Sequence, residues 1–110
     1  MMKRMCRIIK IEPEIIPEYK CIHAAVWPEI LEAIAKSNVK NYTIFLREPE
    51  NLLISYWEYH GSAYAKDMED IKRAPRMQEW WELTDPMQTP FGTRKVDEWW
   101  ADTEEVFHTD

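Results

Sequence analysis

Tyr19 and His23 stand four residues apart, just upstream of the run Trp27-Pro28-Glu29. On a helix, positions i and i+4 lie over one another, so the phenol and the imidazole should open into the same space. Histidine, with an unperturbed pKa of about 6.5, can give or take a proton near neutrality, which makes His23 the first candidate for general acid/base chemistry. A histidine hydrogen-bonded at a helix edge, with no catalytic duty, would satisfy the same spacing. Tyr19 could orient His23 or bind a substrate hydroxyl. Pro28 has no N–H for a helix and biases Trp27 away from helical backbone, so the chain should bend there and place His23 beside a pocket wall.

Trp80-Trp81 is the second candidate feature. Neighbouring helical residues point about 100° apart, so one indole should fill core while the other reaches a cavity. A tryptophan face suits the C–H-lined side of a pyranose ring, with polar groups at the rim taking the hydroxyls. Core packing plus a subunit contact would account for the pair equally well. Cys21, His23, His60 and His108 do not make a recognised metal-ligand spacing, so no metal is expected. There is no Gly-rich phosphate loop, nucleophile elbow or dinucleotide fingerprint, and no cofactor is expected either. Glu104-Glu105 could bring a carboxylate to a sheet edge near a ligand, although solvation is the expected role of at least one of them.

These side chains sit in a chain of 110 residues with 45% hydrophobic content, which predicts a single domain over residues 1–110. The formal charge of -6 argues against a nucleic-acid backbone or an anionic membrane surface as partner, since both call for a dense basic patch. No apolar run is long enough to span a bilayer, and nothing at the N-terminus reads as a signal peptide. A cytoplasmic protein is expected, with Cys6 and Cys21 as reduced thiols. Six Trp, five Tyr and three Phe against two Gly are more large side chains than a small core encloses. They point to an oligomer interface or an aromatic-lined pocket.

The elements that would position the candidates follow from local pattern. Met5 to Ile11 reads as a strand, rich in β-branched residues and closed by Glu12-Pro13. Pro13 or Pro17 opens a helix carrying Ile15, Ile16, Tyr19, Ile22 and His23. Helical spacing resumes from Glu29 to Lys36 and stops at Ser37-Asn38. Val39–Leu46 and Leu52–Tyr59 read as antiparallel strands joined by a hairpin-length connection. Ser62 is the expected N-cap of a helix reaching about Lys72, and Ala74-Pro75 separates it from a further helix carrying Met77, Trp80, Trp81 and Thr84. Residues 86–100 read as an ordered arm, and Glu104–His108 as a short closing strand. Strand, helix, strand, strand, helix, strand is the α+β ferredoxin-like split βαβ pattern, giving a four-stranded antiparallel sheet with helices on one face. The other face needs cover, and a second copy forming a dimeric α+β barrel is the expected solution.

Taken together, Tyr19-x-x-x-His23-x-x-x-Trp27-Pro28-Glu29, Asn41-Tyr42-Thr-Ile-Phe-Leu46, Asn51-Leu52-Leu53, Trp80-Trp81 and Glu104-Glu105-Val106-Phe107 resemble, in order and over nearly the whole chain, the L-rhamnose mutarotase family. The resemblance implies a homodimeric enzyme that interconverts the α and β anomers of a 6-deoxy-L-sugar without a cofactor. It implies that His23 is the proton donor, that Tyr19 and Tyr42 bind sugar, and that Trp80 and Trp81 line the pocket. The segments Thr84–Phe91 and Trp99–Asp102 are closer to a branch associated with L-fucose. Two other activities suit a barrel of this topology, a cofactor-free oxygenase or a small-molecule binding protein.

Overall fold

The structure is a computed structural model and describes residues 2–110. Its elements are β1 (Lys3–Ile11), α1 (Ile16–His23), α2 (Pro28–Lys36), β2 (Val39–Arg47), β3 (Leu52–Tyr59), α3 (Tyr64–Arg73), α4 (Pro75–Thr84), β4 (Gln88–Thr89) and β5 (Ala101–Asp102). Proline lies in the first turn of α1, α2 and α4, where its missing N–H is not needed and its fixed φ suits a helix start. The sheet is antiparallel in the order β2-β3-β1-β4, with β5 also pairing with β1. This is the α+β split βαβ arrangement the pattern predicts. Side chains of β1 and β3 alternate strictly. Ile9, Ile11, Leu53, Ser55, Trp57 and Tyr59 are buried on the helical side, while Ile8 and Ile54 face the other way with Phe45 in the same row.

Two features depart from the expected pattern. Residues 104–108 form no strand, and Val106 and Phe107 are exposed. The fourth sheet position is taken instead by two short pieces: Gln88 and Thr89 face Ile11 and Lys10, and Ala101 and Asp102 face Ile8 and Arg7. Between them the chain leaves the sheet for residues 90–100, where an unbroken strand would need one residue opposite Ile9. β5 covers only Arg7 and Ile8, and beyond it the chain meets the edge of β1 through side chains in place of a ladder: the Thr103 hydroxyl donates to the Cys6 carbonyl at 2.6 Å. Glu105 serves as an ion-pair partner of Arg4, at 2.7 Å, rather than as a ladder residue. The excursion is itself ordered: Arg94 Nε donates to the Glu98 carbonyl at 2.8 Å, and the Lys95 amide donates to the Glu98 carboxylate at 3.0 Å.

Ser62 is not the cap of α3. Ala63 occupies that position without a side-chain cap, and its N–H donates to the Tyr59 hydroxyl at 3.0 Å. That hydroxyl donates in turn to Asp67 at 2.6 Å, in the first turn, so a tyrosine from β3 ties the cap residue to the first turn of the helix. The tight passage demands a glycine, because a Cβ on Gly61 would overlap the Tyr59 hydroxyl.

A bulge in β2 brings Val39 and Tyr42 to the same face of the sheet. The register runs Lys40 to Glu58 and then Thr43 to Tyr56, so Asn41 and Tyr42 together oppose Trp57. Asn41 takes φ 55°, a left-handed conformation that asparagine tolerates. Its side-chain amide donates to Glu58 Oε1 at 2.9 Å. Glu58 is further held by His60 at 3.0 Å and by the Tyr56 hydroxyl at 2.8 Å, and these bonds, His60 first, pull its carboxyl down to about 2. In an unbroken strand Val39 and Tyr42, three residues apart, would face opposite sides; the extra residue lets Val39 stay in the core with Tyr59 while Tyr42 also turns inward. With it, Tyr42 and Ile44 face the same side as Ser55 and Trp57.

Candidate active site

Between the helices and the inner face of the sheet lies a cavity of about 630 Å³, the size of a small-molecule site. Tyr19 and His23 from α1, Tyr42 from β2, and Trp80 and Trp81 from α4 all line it. The structure thus brings the five residues singled out in the sequence to one space. Their sequence separations of up to 62 positions are closed by the βαβ crossover, which lays α1 and α4 across one sheet face.

His23 is fixed by its own helix. Its Nδ1 lies 2.8 Å from the Tyr19 carbonyl oxygen, and since a carbonyl can only accept, Nδ1 carries the proton. Nε2 is then the lone-pair nitrogen of the neutral ring. The imidazole stacks on Tyr19 at 4.1 Å between centroids with 25° between planes, and meets Trp80 edge-on at 5.3 Å. Burial pushes its pKa below the ordinary value, partly offset by the bond to the Tyr19 carbonyl. Near neutral pH His23 is therefore uncharged and ready to accept a proton at Nε2.

Tyr19 is 6% exposed, and burial lifts its hydroxyl well above the usual phenol range, so it remains protonated. Its oxygen receives a hydrogen bond from Gln88 Nε2 at 3.4 Å, and Gln88 Oε1 accepts from Trp99 Nε1 at 2.8 Å. Tyr42 stands 6.5 Å from Trp57, with the two rings nearly parallel.

The tryptophan pair divides as their angular separation requires. Trp80 is 6% exposed and packs with Ile30 and Met77 in the core between α2 and α4. Trp27 meets its edge at 5.0 Å, and Arg76 lies 4.2 Å over the Trp27 ring. The bend at Trp27-Pro28 is present, with Trp27 in extended backbone just ahead of α2. Trp81 is only half-buried and leaves indole surface on the cavity.

Four residues of the cavity wall escaped sequence reasoning. Arg7 points inward beside Ser55, with its Nε buried and without a hydrogen-bond partner among the described residues. Asp85 follows α4 directly, and burial raises its carboxyl above the ordinary range. Gln88 and Trp99 come from β4 and the excursion. Inward alternation in a β1 strand would have exposed Arg7 as an odd charge on an apolar face. Nothing in the local sequence signals the pairing of Gln88 with Trp99. Cys6 and Cys21 are unpaired, and Glu105 is turned to Arg4.

A ferredoxin-like α+β sheet bearing a neutral histidine, two tyrosines and a tryptophan wall in one cavity defines the class: a small-molecule acid/base pocket suited to a hydroxyl-rich ring. Residues 4–109 match the family described as L-rhamnose mutarotase, and the chain belongs to that family. An L-rhamnose mutarotase of Listeria monocytogenes is 34% identical over 86 residues, covering 78% of this chain and 80% of its own. One from Bacillus subtilis is 32% identical over 110 residues, covering 99% of this chain and 100% of its own. The crystal structure of an L-rhamnose mutarotase from Formosa agariphila has a TM-score of 0.75 at 21% identity, over 98% of this chain and 99% of that one, and shares the fold.

Proposed function

We propose that this chain is an isomerase of the mutarotase type, interconverting the α and β anomers of L-rhamnose or a closely related 6-deoxy-L-hexose. The observation that carries the reading is His23, held with Nδ1 protonated and kept neutral by burial, in the cavity shared with the tyrosines and the tryptophan pair. Mutarotation requires a base to take the anomeric hydroxyl proton and an acid to protonate the ring oxygen. The open aldehyde then turns about its C1–C2 bond and recloses on the other face. In this reading His23 transfers the proton, Tyr19 and Tyr42 hold sugar hydroxyls, and the Trp80-Trp81 pair lines the pocket, with Trp81 facing the ring. Positioned acid/base groups supply about 10²–10⁴-fold, which is sufficient for a reaction that proceeds unaided at a measurable rate.

The reading extends to a single-domain homodimer in the cytoplasm. Support for the dimer comes from the sheet face away from the helices, where Phe45, Ile54 and Ile8 form one apolar row and Phe45 is 57% exposed. The free thiols Cys6 and Cys21 suit a reducing compartment. Among the described residues no helix is long and apolar enough to cross a membrane.

Saturation-transfer NMR on L-rhamnose and L-fucose side by side tests the activity and ranks the sugars. Faster anomer exchange than in buffer is expected, with a loss of about 10²–10⁴-fold in His23→Ala. No acceleration with either sugar would sink the mutarotase reading, and full activity in His23→Ala would remove the role of His23.

A further inference from the structure

We propose that Gln88, locked by Trp99, is a positioning residue that turns the Tyr19 hydroxyl proton toward the bound sugar, so that Tyr19 meets it as a hydrogen-bond donor. The inference rests on Tyr19 as a sugar-binding residue, as read above, and adds the polarity of its contact.

The argument starts at the excursion. An indole N–H can only donate, so the Trp99 Nε1 contact to Gln88 at 2.8 Å requires the amide oxygen of Gln88 at that end. The two ends of an amide are alike in shape, and this neighbour decides between them. The Nε2 group, which has only protons to offer, is thereby turned toward the Tyr19 oxygen at 3.4 Å. Tyr19 accepts there, so its own proton must be directed elsewhere. Its ring is stacked on His23 and borders the cavity, and no second partner for the hydroxyl occurs among the described residues. Gln88 itself is 8% exposed, a buried polar side chain with both amide ends engaged.

With the Tyr19 oxygen already accepting from Gln88 and its proton turned to the cavity, the sugar oxygen that meets it best is an acceptor: the ring oxygen, or a hydroxyl whose own proton points away. In the reaction this contact favours the developing negative charge on an oxygen and opposes a protonated one. A tyrosine free to turn would serve donor and acceptor alike and carry less preference between them. The chain that sets this polarity begins in the Pro90–Trp100 excursion, so a segment outside the sheet decides the direction of a proton inside the pocket.

The test is a mutant cycle on anomer exchange of L-rhamnose, with thermal unfolding of each variant as a check on folding. Gln88→Glu keeps the shape of the side chain but offers Tyr19 an acceptor, which captures its proton. It should lose about tenfold or more in kcat/KM, the worth of one hydrogen bond whose direction is reversed. Gln88→Leu, which leaves the hydroxyl free to turn, should lose less than Gln88→Glu. In a Tyr19→Phe background, which has no hydroxyl to direct, Gln88→Glu should change nothing further. Equal losses in Gln88→Glu and Gln88→Leu, or an undiminished loss in the Tyr19→Phe background, would overturn the proposal.

The amide direction can also be read without substrate. Nuclear Overhauser contacts from the Gln88 side-chain NH₂ should run to the Tyr19 ring, and contacts to the Trp99 indole N–H proton in their place would overturn it. Absence of exchange in the unsubstituted enzyme would instead remove the mutarotase reading, and with it the sugar as Tyr19's acceptor, while the NMR contacts still decide the direction of the amide.

Discussion

At the residue scale, His23 and the tryptophan pair carry opposite kinds of burden. Burial lowers the pKa of His23, so the neutral base persists to more acid pH than a free imidazole would allow. The acid limb of kcat/KM should therefore fall below about pH 6.5; a limb above that value would show that another group titrates. Stability follows with the same sign: as pH drops from about 6.5 through the lowered value, the unfolded chain takes up the proton first and the fold loses stability. Trp80 and Trp81 separate in the same experiment. Trp80→Ala empties a buried position and should cost about 3–5 kcal/mol, read by urea unfolding. Trp81→Ala should leave most stability intact and raise KM, since its exposed face borders the cavity. Comparable unfolding losses in both would contradict that division. The sequence announced both roles but could not say which indole took which, because the rotation of α4 about its axis is set by contacts with Ile30 and Trp27 from other elements.

At the scale of elements, the bulge in β2 lets Tyr42 face the pocket while Val39 keeps its place in the core. Asn41→Val places a β-branched side chain at φ 55° and should destabilise the protein by about 1–3 kcal/mol, or shift the ladder so that Tyr42 leaves the cavity. Denaturant unfolding alongside KM for sugar distinguishes the two, and an Asn41→Val variant unchanged in both would contradict the role of the bulge. Asn41-Tyr42 was legible as part of a strand, yet the extra residue was not, because a strand's alternation identifies faces only while its register is unbroken. The fourth sheet position was illegible for a related reason. Gln88-Thr89 and Ala101-Asp102 are two residues each, too short for any periodicity, and only the edge of β1 makes strands of them. Glu104–His108 had the pattern, yet that stretch meets β1 through the Glu105–Arg4 ion pair and forms no ladder. The cap of α3 was likewise assigned to the nearest suitable residue, Ser62, whereas Tyr59 reaches it through space.

At the scale of the whole molecule, the order of elements was enough to give the sheet and its crossovers, since the split βαβ pattern leaves few ways to connect them. The outer face of that sheet is where the expected partner copy should sit. Phe45→Asp puts a charge in the middle of the apolar row and should convert a dimer to a monomer in sedimentation velocity; a wild-type protein that already runs as a monomer would remove the dimer from the reading. The broken fourth strand has another consequence. Its two halves rejoin β1 only two rungs apart, at Lys10 and Ile8, so the eleven residues between them form a cassette hung on a fixed frame. Loop-closure entropy changes slowly with length, so lengthening or shortening the cassette costs the frame little. The roof of the pocket can thus vary in length over a fixed floor, tied to it where Trp99 meets Gln88: relatives could exchange the one, and with it the shape presented to a ligand, while inheriting the other unchanged.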